Sequence, residues 1–154
     1  MPYEVRQSLR PVAGADYWNK GKIRRFLAHN VFNMLLIERN GENPQLAIDQ
    51  MSEALETHSL IIFPEGTRKT DDDIPLQPFR KGLYYLAKQN PALPMRPIWI
   101  ANINHVLPKG HFLPVPLLCE LYLGEAEYYQ QEEKAEFLHK MEQALLALNP
   151  KGGA

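Results

Sequence analysis

The sequence predicts an α/β fold, a mostly parallel central sheet flanked by helices, on three observations. Short apolar runs that favour strands recur at residues 10–15, 34–37, 60–63, 97–103 and 117–123. The segments between several of them repeat their apolar residues at helical spacing. Leu60-Ile61-Ile62-Phe63 is apolar without alternation, which fits a central strand covered on both faces. Alternation of this kind builds parallel sheets between helices, with ligands at the carboxyl ends of the strands. With 154 residues the chain has the size of one domain. Residues 1–150 are expected to form it, ahead of a tail at 151–154.

Each element has a local reason. The first run, 10–15, is a short apolar strand bounded by Pro11 and Gly14. From 17 to 32, Trp18, Ile23, Phe26, Leu27 and Val31 approximate helical spacing with Lys20, Lys22, Arg24 and Arg25 between them, which predicts an amphipathic helix. Residues 34–37 are too short for a helix and end at the turn signal Asn40-Gly41, so they read as a strand. Asn43 followed by Pro44 is an N-cap with proline in the first helical position, and Ile48, Met51 and Leu55 carry that helix to about Thr57. A third helix is expected over 80–89. The last, over about 131–148, carries Phe137, Leu138, Met141, Leu145 and Leu148.

Composition excludes several classes of function. Hydrophobic residues at 45% and charged residues at 23% are globular usage rather than disorder. Seventeen basic against eighteen acidic residues, net −1, lack the footprint of a nucleic-acid binder. Neither a P-loop nor a G-x-G-x-x-G fingerprint is present, which disfavours a nucleotide-binding reading. Cys119, the only cysteine, sits in an apolar run and reads as a small buried residue rather than a nucleophile; it fits a reducing compartment. No apolar stretch reaches the length of a membrane span, so any contact with lipid is expected from the surface. Asp71-Asp72-Asp73 reads as a solvated loop, and no metal is assigned.

Phe63-Pro64-Glu65-Gly66-Thr67-Arg68 directly follows the expected central strand and opens a long loop, 64–78. Pro64 stops the ladder, Gly66 lets the backbone approach a ligand, Thr67 adds a hydroxyl, and Arg68 offers a fork of donors suited to phosphate. The plainer alternative is a surface turn in which Glu65 and Arg68 pair with each other or with solvent.

That hexapeptide resembles the phosphate-and-glycerol motif of the 1-acyl-glycerol-3-phosphate acyltransferase family. Leu36-Ile37-Glu38-Arg39 resembles the family's upstream block, a strand ending in a phosphate-binding arginine. Phe79-Arg80-Lys81-Gly82 and Leu93-Pro94-Met95-Arg96-Pro97-Ile98 resemble two downstream blocks in their proper order. Leu107-Pro108-Lys109-Gly110 with Pro114-Val115-Pro116 is similar to a loop of short bacterial members, so the likeness runs from about residue 10 to 124.

The resemblance implies transfer of a fatty acyl group from acyl-CoA or acyl carrier protein, as co-substrate, to the free hydroxyl of lysophosphatidic acid in phospholipid biosynthesis. No cofactor is implied. Arg39 and Arg68 would contact the acceptor's phosphate, Glu65 and Thr67 would orient its glycerol end, and Gly66 would give the backbone room. Another lysophospholipid, an ornithine lipid or glycerol 3-phosphate would also suit two arginines and a glutamate.

One family block is missing. The family's catalytic His-x-x-x-x-Asp has no counterpart: the residues five positions after His29, His58, His105, His111 and His139 are Met34, Phe63, Gly110, Pro116 and Ala144. An alcohol needs a general base, and an aspartate on the other ring nitrogen fixes its tautomer. The expectation is an N-terminally truncated chain with no catalytic residue of its own, inactive alone. The alternative is a catalytically dead phospholipid-binding remnant. Lys20, Lys22, Arg24 and Arg25 suit an anionic membrane surface, with a solvated helix face as the plainer reading. The apolar stretch 112–118 suits an acyl channel or contact with the bilayer, with core packing beside the last strand as the plainer reading. The expected location is cytoplasmic, peripheral on the cytoplasmic face of a membrane.

Overall fold

The computed structural model describes residues 5, 7–38, 43–67, 74–101 and 119–150. They fall into two compact units, Met1–Thr67 and Arg68–Ala154.

The first unit is built on three parallel strands in the order β2-β1-β3. β1 (Leu9–Gly14) pairs with β2 (Leu35–Ile37) from Val12↔Leu35 to Gly14↔Ile37, and with β3 (Ser59–Ile61) from Leu9↔Ser59 to Pro11↔Ile61. The two pairings occupy successive halves of β1. Pro11, which has no N–H to donate, therefore sits where the ladder changes sides. Arg10 fastens the entry to β2, donating from Nε to the Asn33 carbonyl and from Nη2 to the Met34 carbonyl, both at 3.4 Å.

Parallel neighbours need a return path, and helices supply both. Between β1 and β2 the chain forms α1 (Ala15–Trp18), then α2 (Lys22–Phe26), which continues as a π-helical turn over Leu27–Val31. The single amphipathic helix expected over 17–32 is thus broken at Gly21, whose φ of +110° no helix accommodates. Its faces also differ from expectation. Ala28 is the buried residue, while Ile23, Phe26 and Val31 face solvent.

Between β2 and β3 runs α3 (Pro44–Leu55). Asn43 caps it as expected, its side-chain oxygen accepting from the Gln45 N–H at 3.1 Å, with Pro44 opening the first turn. Ile48, Met51 and Ala54 are its buried side, and it packs against β2 and β3. The 60–63 run, read as central, is different: β1 is the middle strand among the described residues, and Ile61 of β3 is 40% exposed. Phe63 is 61% exposed as well, so this unbroken apolar run fixes neither the cover on both faces nor the number of neighbouring strands.

The second unit packs α4 (Gly82–Gln89) against α5 (Lys134–Leu146) beside β4 (Ile98–Ala101) and β5 (Glu120–Leu123). These two strands are antiparallel, from Ile98↔Leu123 to Ala101↔Glu120, where a mostly parallel sheet was expected. An isolated bridge between Met95 and Glu127 extends the pairing. The core is Phe79, Tyr84, Ala87, Phe137 and Met141. Tyr84, Tyr129 and Phe137 meet edge to face with ring centroids 5.7–5.9 Å apart. Cys119, expected to be buried, is exposed just ahead of β5. Asp71-Asp72-Asp73 and residues 107–118 lie outside the described residues.

Candidate functional site

Because β1, β2 and β3 are parallel, their carboxyl ends share one end of the sheet: Gly14 stands opposite Ile37, while Ile61 stands opposite Pro11, three residues before the end of β1. The segments leaving that end are Ala15-Asp16, Glu38 and the turn 62–67. This is the position at which parallel sheets hold ligands.

The turn has the geometry its residue types suggest. The Gly66 N–H donates to the Phe63 carbonyl at 3.0 Å, closing a tight turn with Pro64 and Glu65 at its two central positions. Gly66 has φ of +68°, the left-handed region that a side chain disfavours. Glu65 and Gly66 are half-buried, whereas Phe63 and Thr67 are exposed. Glu65, Gly66 and Thr67 thus stand together at the carboxyl end of the sheet. Arg39 and Arg68 lie outside the described residues, so the structure brings together three of the five expected acceptor residues.

Two carboxylates that the sequence reading does not single out also leave this end of the sheet. Asp16 follows β1 directly, and Glu38 follows β2 at the same end. Only the strand registers bring them there, and register is not readable from one apolar run.

The described histidines provide no oriented base. His58 precedes β3 and so stands at the opposite end of the sheet from the turn; its Nδ1 lies 2.8 Å from the Thr57 hydroxyl. His29 lies in the π-helical turn and His139 on the exposed side of α5. None of the three has a carboxylate on its ring among the described residues.

The downstream block 79–82 belongs to the second unit. The Phe79 N–H donates to Glu142 Oε1 of α5 at 2.9 Å, and the buried Phe79 ring joins the core of the second unit. Glu142 was not anticipated, since 63 residues separate it from its partner. In the other resembling block, Arg96 Nη1 donates to the Gly124 carbonyl at 2.8 Å, a contact that braces the chain after β5.

Comparison with known proteins bears on the family and the fold. The acyltransferase family model matches residues 3–101 and so spans the sheet, the turn and the 79–82 block. The 1-acyl-sn-glycerol-3-phosphate acyltransferase of Limnanthes douglasii is 40% identical over 98 residues, covering 59% of this chain and 32% of its own length. The Saccharomyces cerevisiae enzyme of the same name is 36% identical over 65 residues, 39% of this chain and 21% of its own. The chain therefore spans about a third or less of the curated relatives it matches. The crystal structure of the 1-acyl-sn-glycerophosphate (LPA) acyltransferase of Thermotoga maritima has the same fold, with a TM-score of 0.66 at 20% identity over 96% of this chain and 58% of that one. With the sheet, the turn and the family match in agreement, the chain belongs to the acyltransferase family.

Proposed function

We propose that this chain carries the acceptor-binding part of an acyltransferase that moves a fatty acyl group from acyl-CoA or acyl carrier protein to the free hydroxyl of lysophosphatidic acid. The observation that carries this reading is the Phe63–Gly66 turn, with its left-handed glycine, at the common carboxyl end of three parallel strands in an acyltransferase-family chain. On this reading 1–150 acts as one domain. Arg39 and Arg68 bind the phosphate, Glu65 and Thr67 orient the glycerol, and Gly66 keeps the backbone close to the ligand. No cofactor or metal takes part. The protein works on the cytoplasmic face of a membrane.

Acyl transfer to an alcohol requires removal of its proton, and general base catalysis contributes roughly 10²–10⁴-fold. The lack of any described histidine with a carboxylate partner favours a second reading of these 154 residues as a phospholipid binder without turnover. One assay separates the two. A chain extended at its N-terminus to carry a His-x-x-x-x-Asp block releases free thiol from acyl-CoA only when lysophosphatidic acid is present, whereas the 154 residues alone release none. Failure of the extended chain to release thiol, with acceptor binding intact, leaves the binding reading in its place.

A further inference from the structure

Between Asp16 and Glu38 the sequence has no acidic residue, yet it holds Lys20, Lys22, Arg24, Arg25 and His29. The whole chain has a net charge of −1, so this is a local concentration of positive charge. None of Lys20, Lys22, Arg24 and Arg25 forms an ion pair among the described residues. All four are exposed.

The same segment exposes its apolar side chains. α2 buries none of its residues; Ile23 is 77% and Phe26 58% exposed, on the side away from buried Ala28. The surface is nonetheless well organised. The Arg24 guanidinium carbon lies 4.6 Å from the centre of the Tyr17 ring, and Trp18 meets Phe32 edge to face at 6.2 Å. Beside Phe26, a shallow depression of about 450 Å³ is lined by Lys22, Arg25 and His29 with the amides of Asn19 and Asn30. α1 leaves the carboxyl end of β1, the end of the sheet that carries the 62–67 turn.

We propose that the α1–α2 segment is a docking face for an anionic phospholipid bilayer: Ile23 and Phe26 enter the headgroup region, and Lys22 and Arg25 hold lipid phosphates in the depression beside them. Charge decides the occupant. The cores of protein interfaces are depleted of charged residues, whereas exposed apolar side chains interleaved with lysine and arginine, beside tyrosine and tryptophan, match a membrane interface. The inference deepens the membrane location proposed above by naming the face that docks; it does not rest on acceptor binding, since a bilayer without lysophosphatidic acid serves as the probe.

The test is co-sedimentation of the full chain with vesicles of phosphatidylcholine, alone or with 30 mol% phosphatidylglycerol, at about 0.1 M salt. Binding is expected to anionic vesicles and to weaken steeply with added salt. The double variant Ile23→Ser/Phe26→Ser is expected to lose about tenfold or more in partitioning. Lys22→Gln and Arg25→Gln are each expected to lose roughly fivefold on anionic vesicles only. Because all four residues are exposed, thermal melts of the variants should match the parent's, which separates lost docking from lost folding. Equal binding to neutral and anionic vesicles overturns the proposal, as does unchanged binding by the variants. A concentration-dependent dimer abolished by Ile23→Ser/Phe26→Ser also overturns it, because a second copy then covers the face.

Discussion

Gly66 adopts φ of +68° in the turn after β3, so any side chain placed there strains the backbone. Gly66→Val is expected to destabilise the protein by about 1–2 kcal/mol, read as a shifted denaturation midpoint, and to weaken acceptor binding as the turn relaxes. Gly124 is constrained differently, by space. A methyl group there would lie 2.8 Å from Pro97 Cγ and 3.3 Å from Leu148 Cδ1. Gly124→Ala should therefore cost about 1–3 kcal/mol as an overpacking change, and an unaltered melt would refute that placement. The Gly66 constraint was legible in the sequence, because a glycine in a turn after a strand has few other reasons to be there. That of Gly124 was not. It depends on which side chains later pack over the backbone, and those lie 27 residues upstream and 24 downstream.

Among the elements, α5 organises the second unit. Its Phe137 is fully buried against Tyr84 and Tyr129, and Phe137→Ala is expected to cost about 3–5 kcal/mol and to broaden or abolish a cooperative melt. From its outer side Lys140 Nζ reaches Glu132 at 3.1 Å, Glu127 at 3.2 Å and the Tyr128 carbonyl at 3.3 Å, pinning the chain that leads into the helix. Burial opposes the charge on Glu132, but hydrogen bonds from its own backbone N–H, from Gln130 and from Lys140 outweigh it and hold the carboxyl below its ordinary 4.5. Burial likewise opposes the charge on Lys140, and the bonds to Glu132 and Glu127 hold it above its ordinary 10.5.

The signs set the pH window. Glu132 contributes fully above about 4.5 and loses its contribution as pH falls through its lowered folded value; Lys140 contributes fully below about 10.5 and loses it as pH rises through its raised one. Both groups are partly exposed, so solvent screening keeps the contribution of each pair well under about 1 kcal/mol. Lys140→Met is expected to lower the melting temperature slightly at pH 7 and to flatten its decline below pH 4.5. An unchanged acid profile would sever Glu132 from this role.

The helices over 44–55 and 134–146 were readable because their apolar positions recur at helical spacing and, for the first, because Asn43-Pro44 marks a start. The α1–α2 segment misled for a physical reason. Its apolar residues are near helical spacing, but Gly21 breaks the helix and turns Ile23 and Phe26 outward. A periodic pattern identifies a face without saying whether protein, lipid or water covers it. The antiparallel pairing of β4 with β5 was equally hidden, since strand direction depends on the path between strands and not on the residues within them.

For the whole molecule, sequence and structure converge on an acyltransferase-family fold in which three parallel strands share one carboxyl end. The family was legible because the motif 63–68 and its neighbouring blocks stand in one order along the chain. What could not be read was how the registers gather Asp16, Glu38 and Glu65 at a single end of the sheet.

On the proposed function, this end of the sheet binds a lysophospholipid through its phosphate. The most direct test of that binding is calorimetric titration of the full chain with a short-chain lysophosphatidic acid kept below its micelle concentration, alongside the matching monoacylglycerol that lacks the phosphate. Saturable one-to-one binding of the lysophosphatidic acid is expected, with no measurable binding of the monoacylglycerol. Loss of a charge-assisted phosphate contact is worth about 1.5–3 kcal/mol, so Arg68→Ala should weaken the binding roughly ten- to hundredfold. Equal affinity for the two ligands, or an unchanged affinity in Arg68→Ala, would rule out phosphate recognition at this site.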